Sequence, residues 1–169
     1  TAALLVGVAA PASAEPIVIP TCTQMFAGGA SYWDAFASIN GDTAVLDNPT
    51  PRLNGSDTPE RKAQLRASKA TTCTWRLEHG KPTQNFTISE ARLSPRADEF
   101  LRRWFASHRI VGHDSEATLG GVYYRVSPSE VHLLIHGRVW IAITQRNTNV
   151  DGYTMQAAAY MIAHLNPGI

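Results

Sequence analysis

The sequence contains few of the patterns that identify an enzyme or a metal protein. Its two cysteines, Cys22 and Cys73, have no second cysteine or histidine at zinc-finger spacing, which argues against a structural zinc site. No Gly-x-Ser-x-Gly elbow of a serine hydrolase and no His-Glu-x-x-His motif of a metalloprotease occurs in the chain. The sequence therefore predicts no metal, no cofactor and no catalytic set.

The chain also lacks an excess of charge of either sign. Its 15 lysines and arginines against 14 aspartates and glutamates give a formal net charge of +1. Because a protein that binds a polyanion normally presents a strongly basic face, we expect no nucleic-acid partner. After the amino-terminal segment no run of 18 apolar residues occurs, so no transmembrane segment is expected in the mature chain.

The first feature that is present is an apolar amino-terminal run. Residues 1–14 are rich in Ala, Leu and Val and end in Ala12-Ser13-Ala14, a small-residue site typical of signal-peptide cleavage. We interpret residues 1–14 as a signal peptide remnant and residues 15–169 as a single domain, secreted or located in the cell envelope. A lipoprotein needs a cysteine directly after the cleavage site, whereas Cys22 comes later, so we expect release rather than lipid anchoring.

Export also decides how the two cysteines are interpreted. Cys22 and Cys73 are the only thiols of a chain bound for an oxidising compartment, so they are expected to form a disulfide. On a chain-entropy argument, closing a loop of about 50 residues stabilises a fold by up to about 4 kcal/mol. The bond would tie the amino-terminal segment to the rest of the domain.

Signals of regular structure are weak before residue 70. Apolar residues between positions 21 and 39 fit one or two short helical turns that are interrupted at Gly28-Gly29. Residues 40–59 are rich in Gly, Asp, Asn, Pro and Ser, which predicts a long irregular loop. Pro59 then begins a short predicted helix, with Thr58 as its cap.

From residue 70 onward the patterns predict an antiparallel sheet with helices packed on it. The clearest element is a helix that begins at Ser94-Pro95, and its aromatic stripe, including Phe100 and Trp104, is expected to face the sheet. The predicted elements are a hairpin (72–77 and 86–93), this helix (94–108), a three-stranded meander (122–126, 131–136 and 139–144) and an apolar carboxy-terminal helix (153–165). The fold class is α+β, with about five strands and one disulfide.

This order of elements, with an early cysteine and a later Cys73-Thr74-Trp75, resembles small secreted and lipoprotein domains of unknown function from actinobacteria. The similarity covers roughly residues 21–165, and the layout is more distantly similar to extracellular sensor domains of actinobacterial receptor kinases. Arginine outnumbers lysine by 12 to 3, which fits a high-GC bacterium. Many such domains are lipid-anchored, and this chain lacks the cysteine required. The resemblance implies an accessory role outside the cell or in the envelope and supplies no catalytic residues.

The histidines are the residues on which metal binding or hydrolase catalysis would depend. His132 and His136 lie four residues apart on a predicted strand, so they share a face but lie about 13 Å apart, too far to bind one metal ion together. His113 is followed by Asp114 and Ser115, yet adjacent residues cannot converge into a catalytic triad. A hydrolase that acts through His113 or His136 is therefore the alternative rather than the preferred interpretation.

The preferred interpretation is a non-enzymatic accessory module that binds a protein partner or a small envelope ligand. The candidate surfaces are an exposed face of the sheet and the groove beside the loop at residues 40–59. The candidate ligand-binding residues are Arg102, Arg103, His132, His136 and Trp140. A purely structural envelope component is a third interpretation.

Overall fold

The fold is known here from a computed structural model that describes residues 16–28, 44–47, 56–81, 84–114, 121–135, 138–147 and 152–167. Over these ranges the chain forms four helices and seven strands. In chain order they are α1 (Cys22–Gly28), β1 (Ala44–Asp47), α2 (Pro59–Ala67), β2 (Thr71–Leu77), β3 (Asn85–Arg92), α3 (Pro95–Ser107), β4 (Gly112–Asp114), β5 (Gly121–Ser127), β6 (Glu130–Ile135), β7 (Val139–Arg146) and α4 (Gly152–Leu165).

The seven strands form one sheet in the order β1-β2-β3-β7-β6-β5-β4, and every neighbouring pair is antiparallel. It consists of two meanders, β1 to β3 and β4 to β7, which are joined where β3 pairs with β7 over eight residues. Helix α3 connects the centre of the sheet to its β4 edge. The predicted α+β class, hairpin, later meander and terminal helix are confirmed.

Two edge strands were not predicted. Strand β1 lies inside the segment predicted to be an irregular loop and pairs with β2, and β4 follows α3 in a stretch to which no element was assigned. They contain four and three residues, too few for a clear alternation of apolar and polar side chains. Pairing with a neighbour, rather than local sequence, therefore determines these strands.

Helices lie on both faces of the sheet. In β7, Val139, Ile141 and Ile143 belong to a core formed with α1 and α4, whereas Trp140 and Ala142 belong to a second core formed with α2 and α3. Because successive side chains of a strand point to opposite faces, the two cores lie on opposite sides. The prediction of an exposed sheet face is therefore wrong for the central strands β3 and β7, because both strands are buried over most of their lengths.

The predicted disulfide is confirmed. Cys22 in α1 is bonded to Cys73 in β2, with their Cα atoms 5.4 Å apart and a sequence separation of 51 residues. Helix α1 ends at Gly28, as the interruption at Gly28-Gly29 predicts. Among the helices described, none has both the length and the hydropathy that crossing a membrane requires. The predicted signal peptide, residues 1–14, lies outside the described residues.

Candidate functional site

Helix α3 provides the surface on which the candidate site is built. The Ser94 side chain accepts a hydrogen bond of 3.2 Å from the backbone N–H of Ala97, and Pro95 occupies the first turn, so the predicted start is confirmed. Ala97, Leu101 and Phe105 are buried against the sheet. This packing fixes which side chains of α3 face outward.

Phe100 is one of these outward side chains. It is 42% exposed, so the expectation that it packs on the sheet is wrong. At 3.6 residues per turn, Ala97, Leu101 and Phe105 span about 80° of the helix surface, and Phe100 lies about 60° outside that sector. A helical projection of the sequence places Phe100 at the edge of the apolar stripe of α3. That position was the signal in the sequence that Phe100 could be exposed.

Two adjoining depressions run along the outer side of α3. One has a volume of about 430 Å³ and is lined by Arg96, Glu99, Phe100, Arg103, Trp104 and Ser107. The other has a volume of about 290 Å³ and is lined by Gln64, Ser94, Arg96, Ala97 and Phe100. Because Arg96 and Phe100 line both, the two depressions form one elongated groove, which we call the α3 groove.

The arginines of α3 differ in how their charge is compensated. Arg102 Nε lies 2.9 Å from Asp98 Oδ2, and Arg103 forms an ion pair with Glu99. Arg96 is exposed and has no ion-pair partner among the described residues. Of the two arginines predicted to bind a ligand, Arg103 lines the groove and Arg102 does not, and their binding role stays a prediction.

Trp104 forms a half-buried wall of the α3 groove. The guanidinium carbon of Arg61 lies 4.1 Å from the centre of its ring, a cation–π contact. The imidazole of His108 stacks on the same indole with ring centres 3.8 Å apart. Two neighbours from different elements thus hold the indole in one orientation.

Arg61 is itself held by a buried carboxylate. Its side chain is fully buried, and Nε and Nη2 each lie 2.9 Å from Oε1 of Glu130 at the start of β6. Ser56 Oγ donates to the same oxygen at 2.7 Å, and the backbone N–H of Asp57 donates to Oε2 at 3.2 Å. The charge of Arg61 is therefore compensated inside the protein, as a buried cation requires.

The carboxylate is connected in turn to the centre of the sheet. His132 Nε2 lies 2.7 Å from Glu130 Oε1, and Trp140 Nε1–H donates to His132 Nδ1 at 3.0 Å. Since Nδ1 accepts, Nε2 carries the proton and donates it to Glu130, which assigns the tautomer of a neutral imidazole. We call Ser56, Arg61, Glu130, His132 and Trp140 the buried polar network.

Protonation in the network follows from its geometry. Burial alone would raise the pKa of Glu130, but hydrogen bonds from His132 and Ser56 and the charge of Arg61 outweigh it and lower that pKa to about 2. Burial lowers the pKa of His132, a tendency that Glu130 opposes and Arg61 reinforces. Glu130 is therefore ionised and His132 neutral near neutral pH.

Of the remaining predicted site residues, the fold brings only His132 and Trp140 into contact among the described residues. His132 and Trp140 are both fully buried beneath α3, so neither side chain lies at the surface, and their ligand-binding role stays a prediction. His113 is exposed on the edge strand β4, opposite Tyr123. His136 lies outside the described residues.

One surface contact joins a serine and a histidine, the pair that a nucleophile and its general base would form. Ser107 Oγ lies 3.0 Å from His108 Nδ1, but Nδ1 also lies 2.8 Å from the carbonyl oxygen of Trp104. A carbonyl oxygen only accepts, so Nδ1 carries a proton and cannot remove one from Ser107. Among the described residues no group of three or more His, Cys, Asp or Glu side chains is placed to hold a metal ion.

Comparison with known proteins assigns no family to this fold. No protein-family model matches the chain, and neither a curated protein nor a solved structure matches it. The resemblance to secreted actinobacterial domains therefore stays a prediction, and the α3 groove and the buried polar network are the features from which function is inferred.

Proposed function

We propose that this chain is a non-enzymatic accessory module, secreted or held in the cell envelope, that binds a protein partner or a small ligand in the α3 groove. The observation that carries the proposal is the exposed Phe100 beside a Trp104 ring held by Arg61 and His108. Aromatic and arginine side chains dominate the energetics of many binding sites. A wall that is already fixed loses little conformational entropy on binding.

The buried polar network supports this role without being a site of chemistry. It fixes Arg61 from below while Arg61 contacts Trp104 from within the fold. Both nitrogens of His132 are hydrogen-bonded, which leaves no lone pair for a general base or a metal. We therefore assign the network a positioning role behind the groove.

The location outside the cytoplasm rests on separate observations. Disulfides persist mainly in oxidising compartments, and this chain has one between Cys22 and Cys73. The small-residue site after an apolar run, and the resemblance to actinobacterial secreted domains, support the same location.

A photo-crosslinking amino acid at position 100 tests the proposal, with the same amino acid at position 160 as the matched control. Tyr160 is also an exposed aromatic residue, 53% accessible, but belongs to α4 on the opposite face of the sheet. We expect one defined adduct from position 100, identified by mass spectrometry after exposure to the host's envelope and culture medium. Excess unlabelled wild-type protein should suppress the adduct, and excess Phe100→Ser protein should not.

Adducts of equal yield and identity at positions 100 and 160 would refute a specific groove. The hydrolase alternative makes the opposite prediction in a screen of ester, amide and glycoside substrates. Turnover that is abolished by His113→Ala or His136→Ala would replace the binding proposal with an enzymatic one.

A further inference from the structure

We infer that the α3 groove binds an extended acidic peptide segment of a partner protein, with an apolar side chain of that segment packed on Phe100. This inference rests on the proposed function and names the class of partner. Three features of the groove lead to it: its length, its charge and the spacing of its side chains.

The shape of the groove fits an extended chain better than a compact ligand. Its lining runs along α3 from Ser94 to Ser107. The 13 rises of 1.5 Å between these two residues give a length of about 20 Å. An extended peptide covers that distance with about six residues, whereas small molecules usually bind in enclosed cavities.

The charge of the groove favours acidic groups. Arg96 lines both depressions and has no ion-pair partner among the described residues, so a carboxylate can bind it without displacing one. Arg103 is paired with Glu99, and it can share its remaining donors with a second carboxylate. The guanidinium groups are exposed, so binding removes little of their hydration.

The spacing of these side chains defines a sequence pattern. Arg96 and Phe100 are four residues apart and Phe100 and Arg103 are three apart, so Phe100 lies on the same side of the helix as the two arginines, between them and about one turn from each. In an extended peptide, alternate side chains on one face are about 6.6 Å apart. A segment with an acidic residue two positions before and two positions after an apolar residue matches this arrangement.

Fluorescence anisotropy with three labelled hexapeptides tests the inference. The probe has the sequence Glu-Ser-Leu-Ser-Glu-Ser, one comparison peptide has lysine for glutamate, and the other has serine for leucine. We expect the first peptide to bind most tightly, and its affinity to fall as salt is added, because exposed charge pairs are screened. Binding of the lysine peptide with equal affinity, or of none of the three, would overturn the inference.

Matched variants localise the binding. Arg96→Glu and Phe100→Ser should each weaken binding of the acidic peptide by about tenfold or more. Arg125→Glu, the same charge change on the exposed part of β5, and Tyr160→Ser on α4 should change it by less than about twofold. A loss of the same size in Arg125→Glu would mean that the peptide responds to overall charge and would overturn the inference. All four side chains are exposed, and thermal unfolding of each variant checks that the fold is retained.

The crosslinking and peptide experiments can fail separately. A small molecule or an uncharged segment captured specifically at position 100 would leave the proposed function standing and overturn the acidic-peptide inference. Capture of nothing specific at position 100, together with no peptide binding, would overturn both.

Discussion

The Trp140 indole donates its Nε1–H to Nδ1 of His132, over 3.0 Å, in the fully buried centre of the domain. This bond and the bond to the ionised Glu130 require the same tautomer of His132, with the proton on Nε2. Through Glu130 and Arg61 the same chain of contacts ends on Trp104 at the α3 groove. The central strands and the candidate binding surface are thus physically connected.

Replacing Trp140 by phenylalanine tests the first bond of that chain. The variant leaves the buried Nδ1 of His132 without its donor, and we expect the free energy of unfolding to fall by about 1–3 kcal/mol in urea titrations. Because the ionised Glu130 still accepts from Nε2, the proton should stay on Nε2, and the ¹⁵N shift of Nδ1 should report the lost hydrogen bond. Trp104→Phe is the control, since it is the same substitution at a half-buried position and keeps an aromatic ring there. An unchanged Nδ1 shift in Trp140→Phe would show that the indole does not donate a hydrogen bond to His132.

Local signals in the sequence predicted the elements that local forces determine. The Ser94 cap and Pro95 define the start of α3, and apolar alternation defines the central strands. The buried polar network was missed because Arg61 and Glu130 are 69 residues apart and are residue types that usually face solvent. Only the packing of α2 over the sheet reveals that the two charges are buried together. The predicted burial of Phe100 was wrong because an apolar stripe in the sequence does not show which residues at its edge are exposed to solvent.

The end of helix α2 offers a prediction about the backbone. Lys69 has φ of 53°, in the left-handed region, where the N–H groups of Lys69 and Ala70 bond to the carbonyls of Arg66 and Leu65. Glycine adopts this conformation without steric cost, so Lys69→Gly should raise the free energy of unfolding by about 1 kcal/mol. Lys62→Gly, the same substitution within the helix, should lower it by a similar amount. Thermal unfolding of both variants measures the difference, and equal shifts in one direction would contradict this account.

Replacing Glu130 by glutamine tests the buried ion pair. The amide leaves the buried Arg61 charge without its counterion, and we expect a loss of about 3–5 kcal/mol, because breaking a buried pair leaves an uncompensated charge. In the folded protein the pKa of Glu130 is lowered from 4.5 to about 2, so its stabilising contribution is present above pH 4.5 and is lost as the pH falls toward 2. The difference between wild type and Glu130→Gln should therefore shrink in urea titrations over that range. A difference that stays constant from pH 6 to pH 2 would mean that the Glu130 charge is not what stabilises the fold.

Glu90 should respond to pH in the opposite direction. It lies in β3 between Thr71 and Ile141, is fully buried, and neither of its carboxylate oxygens has a hydrogen-bond partner among the described residues. Burial without a partner raises its pKa well above 4.5, so the folded state binds the proton more tightly than the unfolded state does. Stability is then greatest below pH 4.5 and decreases as the pH rises toward the raised pKa.

Glu90→Gln removes this titration while keeping the shape of the side chain. We expect the variant to gain stability relative to wild type as the pH is raised from 5 to 9, measured by urea titration at each pH. Glu130→Gln is the matched control, because the same substitution at the other buried glutamate should lose stability relative to wild type above pH 4.5. Parallel stability profiles for wild type and Glu90→Gln would show that Glu90 keeps an ordinary pKa, and hence that its carboxylate reaches water or a partner in the folded protein.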